Sequence, residues 1–83
     1  MKVLVNISLK EGVLDPEGQA IKTSLSNLGF KNFSNVRTGK QIILNFEKID
    51  ENEAILATKK MCQDLLVNTV IETYKICLLY TSP

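Results

Sequence analysis

The side chains of this sequence that could do covalent or acid–base chemistry are its carboxylates and thiols, and each lacks the neighbour that such chemistry needs. No histidine occurs among the 83 residues, which removes the usual general base near neutral pH and the usual zinc ligand together. Cys62 and Cys77 are the two cysteines. A thiol nucleophile needs a base to activate it, and a Cys-x-x-Cys spacing for redox or metal work is missing. Asp15 and Glu17 can be imagined as an acid–base pair. They stand, however, in Lys10-Glu11-Gly12-Val13-Leu14-Asp15-Pro16-Glu17-Gly18, where Asp15 can cap a helix starting at Pro16 and Glu17 can complement the helix dipole. Capping accounts for both. Asp50, Glu51 and Glu53 read the same way, Asp50 and Glu53 being spaced like an acidic form of the capping box. Gly12, Gly18, Gly29 and Gly39 fit neither the dinucleotide-binding nor the P-loop spacing. An acylphosphatase-like enzyme would need a phosphate-cradling arginine loop after the first strand, which Lys10-Glu11-Gly12 lacks.

These residues have to be positioned by short elements. Val3, Val5, Ile7 and Leu9 alternate with Leu4, Asn6, Ser8 and Lys10, giving a half-buried strand over 2–9. Gly12 permits the turn that follows. The first helix runs from Pro16 to Leu28, with Ile21, Leu25 and Leu28 within about 60° of one another on a core-facing stripe. Gly29 stands where a left-handed cap belongs. Phe33 to Arg37 reads as a second strand and Gln41 to Glu47 as a third, joined by a hairpin turn at Arg37-Thr38-Gly39-Lys40. On the third, Ile42, Leu44 and Phe46 share the core face. A second helix, capped by Asp50, runs to a stop at Asn68. Its Ala54, Ile55, Thr58, Met61, Cys62, Leu65 and Leu66 span an apolar arc of about 140°. Val70 to Leu79 alternates again as a final strand.

Strand, helix, strand, strand, helix, strand predicts an α+β, ferredoxin-like βαββαβ sandwich: a mainly antiparallel four-stranded sheet with two helices on one face. The other face would carry Leu4, Asn6, Ser8, Ile43, Asn45, Cys77 and Leu79. That mixture suggests self-association as a homodimer or higher, because exposed apolar patches commonly mark interfaces.

Bulk properties narrow the function further. Eighty-three residues predict a single domain over 1–83. Hydrophobic residues at 45% and charged ones at 23% describe a folded chain rather than a disordered one. Ten basic and nine acidic residues leave +1, which gives no general attraction for nucleic acid or an anionic membrane. The strands also lack the aromatic platforms that RNA readout would use. No apolar run approaches a membrane span and no signal peptide is visible, so the expected compartment is the reducing cytoplasm. From the residues alone, the chain is a small interaction module without catalytic apparatus or a cofactor of its own.

Three segments together resemble one family. Lys10 to Gly18 with Ala20 is similar to the first signature of the PurS subunits of phosphoribosylformylglycinamidine synthase. Val36-Arg37-Thr38-Gly39-Lys40 with the strand ending at Leu44 is similar to a second. Met61 to Asn68, then Val70-Ile71-Glu72 and Tyr74, is similar to a third. The resemblance spans 1–76. It implies a small, usually homodimeric subunit that bridges a glutaminase subunit and an ATP-dependent synthetase subunit and supports ammonia passage between them. ATP, Mg and glutamine would be used by those partners, with no cofactor in this chain. It further implies that Lys10, Gly12, Asp15, Pro16 and Gly18 shape the first loop, and that Arg37, Gly39 and Lys40 form a hairpin tip touching a partner. There a guanidinium suits bidentate recognition of a carboxylate. Two departures stand out: Thr69 follows Asn68 where the family often has proline, and the apolar tail 77–83 replaces an acidic ending and is read as a non-native end. The remaining alternative is a free-standing dimeric regulatory module that senses a small metabolite at the Lys10–Gly18 turn.

Overall fold

The structure, a computed structural model, describes residues 1–79. β1 (Lys2–Leu9), α1 (Pro16–Asn27), β2 (Gly39–Asn45), α2 (Glu51–Met61), a π-helical turn (Cys62–Leu66) and β3 (Glu72–Leu79) follow one another along the chain. β1 is the central strand, with β2 and β3 antiparallel on either side. Its alternation is read directly into burial: Val3, Val5 and Ile7 are buried, while Asn6 and Ser8 face away.

α2 covers the buried face of the sheet. Val5 and Ile7 meet Cys62 and Val67, with Ile42, Leu44, Leu66 and Tyr74 packed around them. Asp50 caps α2 by accepting from the Asn52 N–H at 3.2 Å. The helix then widens, and the Val67 N–H donates to the Cys62 carbonyl five residues back. At 100° per residue, an α-helix would set residues five apart about 140° from each other. The π-turn instead brings Cys62 and Val67 to the same core, as π-bulges re-aim side chains elsewhere. Leu65 is turned out and is 83% exposed. Met61 and Leu65 therefore lie outside the core that the helical arc placed them in. Burial pushes the Cys62 thiol up from its ordinary value, so it stays protonated and unreactive.

The four-stranded sheet is corrected to three strands among the described residues. Residues 33–38 form no strand, so the hairpin predicted at Arg37–Lys40 is missing and Gly39 and Lys40 open β2 instead. The cause is local. The Thr38 N–H, which a ladder would need, donates to the Asp15 carboxylate, and Asn32 at φ 72 redirects the chain before it. Gly39 does not have positive φ. It pairs with Ser8, and a Cβ there would lie 2.6 Å from the Ile7 carbonyl oxygen. Close approach, not a turn, requires the glycine.

The expectation of two helices on the sheet is also corrected. α1 is punctuated as its sequence predicts: Pro16 is its first residue, Asp15 caps it, and Gly29 follows it at φ 95. Yet among the described residues α1 has no substantial packing against any helix or strand. Its Ile21 and Leu28 are 38% and 75% exposed. The chain is accordingly a slab of 49 × 33 × 15 Å with a radius of gyration of 16.4 Å. A compact chain of this length would have a radius of about 12 Å.

The uncovered sheet face carries the expected residues. Exposed Ile43 and Leu79 lie at one end. Asn6 accepts from Gln41 at 2.8 Å and Ser8 meets Thr73 at 3.4 Å towards the other. Of the tail, 77–79 belong to β3, and 80–83 lie outside the described residues.

Candidate functional site

The site is the root of α1, where the β1–α1 loop meets the approach to β2. Gly12, at φ 85, lets the loop turn, and the Val13 N–H donates to the Lys10 carbonyl at 3.2 Å. Arg37 closes on this turn from outside. One guanidinium nitrogen donates to the Val13 carbonyl at 2.7 Å and another to the Lys10 carbonyl at 3.1 Å. Asp15 sits beneath, 4% exposed. Its carboxylate accepts from the Gly18 N–H at 2.9 Å, from the Thr38 N–H at 2.7 Å, and from the Thr38 hydroxyl at 3.0 and 3.1 Å. The helix cap is thus also a latch to the second segment. A Cβ on Gly18 would run into the Val36 carbonyl oxygen. Pro16 starts the helix, and Lys22 reaches the Ser34 carbonyl at 3.0 Å.

The sequence-predicted residues Lys10, Gly12, Asp15, Pro16, Gly18 and Arg37 are brought together here. Gly39 and Lys40 lie next to them at the start of β2, where Lys40 is 4.0 Å from Glu72. A depression of 350 Å³ lies between, lined by Ser8, Asp15, Thr38, Lys40 and Glu72 among others. The place read for Arg37 is corrected: it clamps two carbonyls rather than standing at the tip of a hairpin. Sequence reasoning missed Thr38 and Val36, which complete the latch. Both stand inside the Val36–Lys40 signature, but neither a threonine nor a backbone carbonyl is marked there as a neighbour of the Asp15 cap.

The Thr38 and Gly18 N–H groups, in that order, hold the Asp15 carboxyl below its ordinary value of 3.8, with Arg37 a minor contributor and desolvation opposing. Hydrogen bonds to the charged form have this sign. A depressed carboxylate contributes stability that is fully present above its unfolded value and is lost as pH falls through its folded value. Asp15→Asn is therefore expected to be destabilised near neutral pH, with the gap to wild type narrowing as pH drops below 3.8. Urea unfolding of both proteins across that range measures it. A gap that stays constant with pH would assign the loss to geometry instead of charge.

Among the described residues no group of three histidine, cysteine or acidic side chains could hold a metal ion. The Asp15 carboxylate and the Arg37 guanidinium are both committed to groups of this joint. They fix the direction in which α1 leaves the sheet.

The family described as PurS, phosphoribosylformylglycinamidine (FGAM) synthase, matches residues 2–79. The chain belongs to the PurS family. The PurS subunit of Bacillus subtilis is 46% identical over 74 residues, covering 89% of this chain and 87% of the relative. That of Methanocaldococcus jannaschii is 43% identical over 75 residues, covering 90% of each. The crystal structure of M. jannaschii PurS, a subunit of formylglycinamide ribonucleotide amidotransferase in the purine biosynthetic pathway, superimposes with a TM-score of 0.81 at 42% identity over 92% of both chains. A chain in the structure of PurLQS from Thermotoga maritima gives 0.85 at 32% identity, over 94% of this chain and 95% of that one. PurS is a subunit of FGAM synthase, and all three signature segments lie within the matched residues. The agreement extends over nine-tenths of each chain.

Proposed function

We propose that this chain is the small, non-catalytic bridging subunit of a phosphoribosylformylglycinamidine synthase complex. It joins the glutaminase and ATP-dependent synthetase subunits and supports ammonia transfer between them, in the cytoplasm. ATP, Mg and glutamine are handled by those larger subunits. The observation that carries this reading is the close match to a chain of the T. maritima PurLQS structure. The α1 root contributes the contact surface, with Lys10, Gly12, Asp15, Pro16, Gly18, Arg37, Gly39 and Lys40 either on it or shaping it. Self-association through the open sheet face, at Leu4, Ile43, Cys77 and Leu79, belongs to the same reading.

Copurification with both larger subunits, with and without glutamine and Mg-ADP, is the test, and Arg37→Ala sharpens it. Removing the clamp frees the Lys10–Val13 turn while leaving the sheet untouched. Hydrogen bonds from a charged donor are worth about 1.5–3 kcal/mol, so assembly is expected to weaken about tenfold or more with circular dichroism unchanged. A complex of undiminished affinity would count against Arg37 as a contact-shaping residue. No copurification of the wild-type chain would overturn the reading itself. The metabolite-sensing alternative has only the 350 Å³ depression in its favour, and its Lys40 and Glu72 already face each other.

A further inference from the structure

We propose that Leu14, Val70 and Ile71 are the side chains with which this chain grips a larger subunit, set into an uncharged apolar hollow on that subunit's surface. The proposal rests on the bridging role given above and assigns the chemistry of its contact. Leu14 is 71% exposed, Val70 79% and Ile71 38%. Apolar residues scattered singly over a surface need no explanation. These stand instead on two loops tied together, the Lys10 N–H donating to the Ile71 carbonyl at 2.8 Å, beyond the paired ends of β1 and β3. Each loop is also pinned on both sides of the residue it presents. Before Leu14, Arg37 holds the Val13 carbonyl at 2.7 Å; after it comes Asp15, bound by the Gly18 and Thr38 N–H groups. Around Val70, the Asn68 side chain accepts from the Val70 N–H at 3.1 Å. The Asn68 carbonyl accepts from the Ile71 and Glu72 N–H groups at 3.1 and 2.7 Å, and the Glu72 carboxylate accepts from the Asn68 N–H at 2.8 Å.

Such bracing is more than a connection needs. A loop that only joins two elements can leave its backbone to water, and an apolar side chain facing water gains nothing from being held still. Holding it still does serve binding, because the anchor is then ordered before the partner arrives. The same hydrogen bonds leave this end little polar recognition to offer. The Asp15 carboxylate and the Arg37 guanidinium are turned on groups of this chain, and Lys40 faces Glu72 at 4.0 Å. Lys10 and Glu11 add one charge of each sign. What the end presents outwardly is therefore apolar and close to neutral, which matches the charge-poor centre of a protein interface. The occupant is a larger subunit because the anchors adjoin the α1 root, to which contact with those subunits is assigned. They stand at the end of the sheet, not on the open face at Leu4, Ile43, Cys77 and Leu79, so covering that face does not use them.

The test titrates the fluorescently tagged full-length chain with each purified larger subunit and with both together. Val70→Thr keeps the shape of its side chain and Leu14→Gln nearly its size, while each removes apolar surface. Each is expected to weaken binding in at least one titration by about tenfold or more, the loss that goes with an apolar side chain of this size. Leu14→Met, which stays apolar, should restore most of the affinity. The urea midpoint and the sedimentation of the lone chain should not move. Undiminished affinity for both polar variants overturns the inference. A fall in urea midpoint that accounts for the lost affinity overturns it too, by making these residues part of the fold. So does a lowered mass of the lone chain, which would place them between copies. A wild-type chain that binds neither subunit removes the bridging reading and this contact with it, whereas a wild type and variants that bind equally well remove this contact alone.

Discussion

Ile7→Ala is expected to lose about 2–5 kcal/mol, the range for truncating a buried branched side chain. Ile7 is 3% exposed on the central strand, paired with Lys40 on one side and Tyr74 on the other, and packed in the cluster with Cys62 and Val67. Few residues share that burden: among the described residues six hydrophobics are buried, so neighbours cannot collapse far into the cavity. For a chain of this length total stability is ~4–12 kcal/mol. One truncation thus removes about a sixth of it or more. Urea unfolding at fixed protein concentration should show a lower midpoint with an unchanged slope. A loss below about 1 kcal/mol would mean that the cluster around Ile7 is not the core.

Gly18→Ala is expected to destabilise, against the usual direction. Within a helix that exchange ordinarily gains about 0.5–1 kcal/mol by restricting the unfolded chain. Here the added Cβ would strike the Val36 carbonyl oxygen and lie 2.9 Å from an Asp15 carboxylate oxygen. The carboxylate is held by Thr38, two residues on from the Val36 carbonyl. Overpacking against fixed atoms costs about 1–3 kcal/mol, so the sign reverses. The variant should also lose assembly with its partners by more than its stability loss explains, since the strain falls on the joint that aims α1. Equal or greater stability would show that the segment 33–38 gives way and that α1 is loosely hung.

Local signals in the sequence were read correctly where a residue acts on its own neighbourhood. β1 follows from the Val3–Leu9 alternation, and the caps at Asp15, Gly29 and Asp50 follow from backbone groups within three residues of each. β3 begins at Glu72 rather than Val70, because the Asn68 side chain and carbonyl hold 68–72 in a turn. What the sequence hid was non-local. Phe33–Arg37 has strand composition, but its ladder was forfeited when the Thr38 N–H found Asp15 twenty-three residues away. The Ile21–Leu28 stripe was legible as apolar, yet periodicity cannot say which surface covers it. Six of the eight proposed site residues converge on the α1 root because motif spacing preserved the loop. The clamp by Arg37 depends on two carbonyls, groups that every residue has and no pattern marks.

The 15 Å thickness of the slab bears on which positions tolerate change. One sheet and one helix account for that depth, so no atom lies far from the outside and the distinction between interior and surface weakens. Val3, Val5, Ala54 and Cys62, closed to solvent altogether, then carry a constraint that a thicker protein spreads over many positions. A library of random substitutions scored by unfolding would find these the least tolerant, while the solvent-facing Lys59 and Gln63 drift.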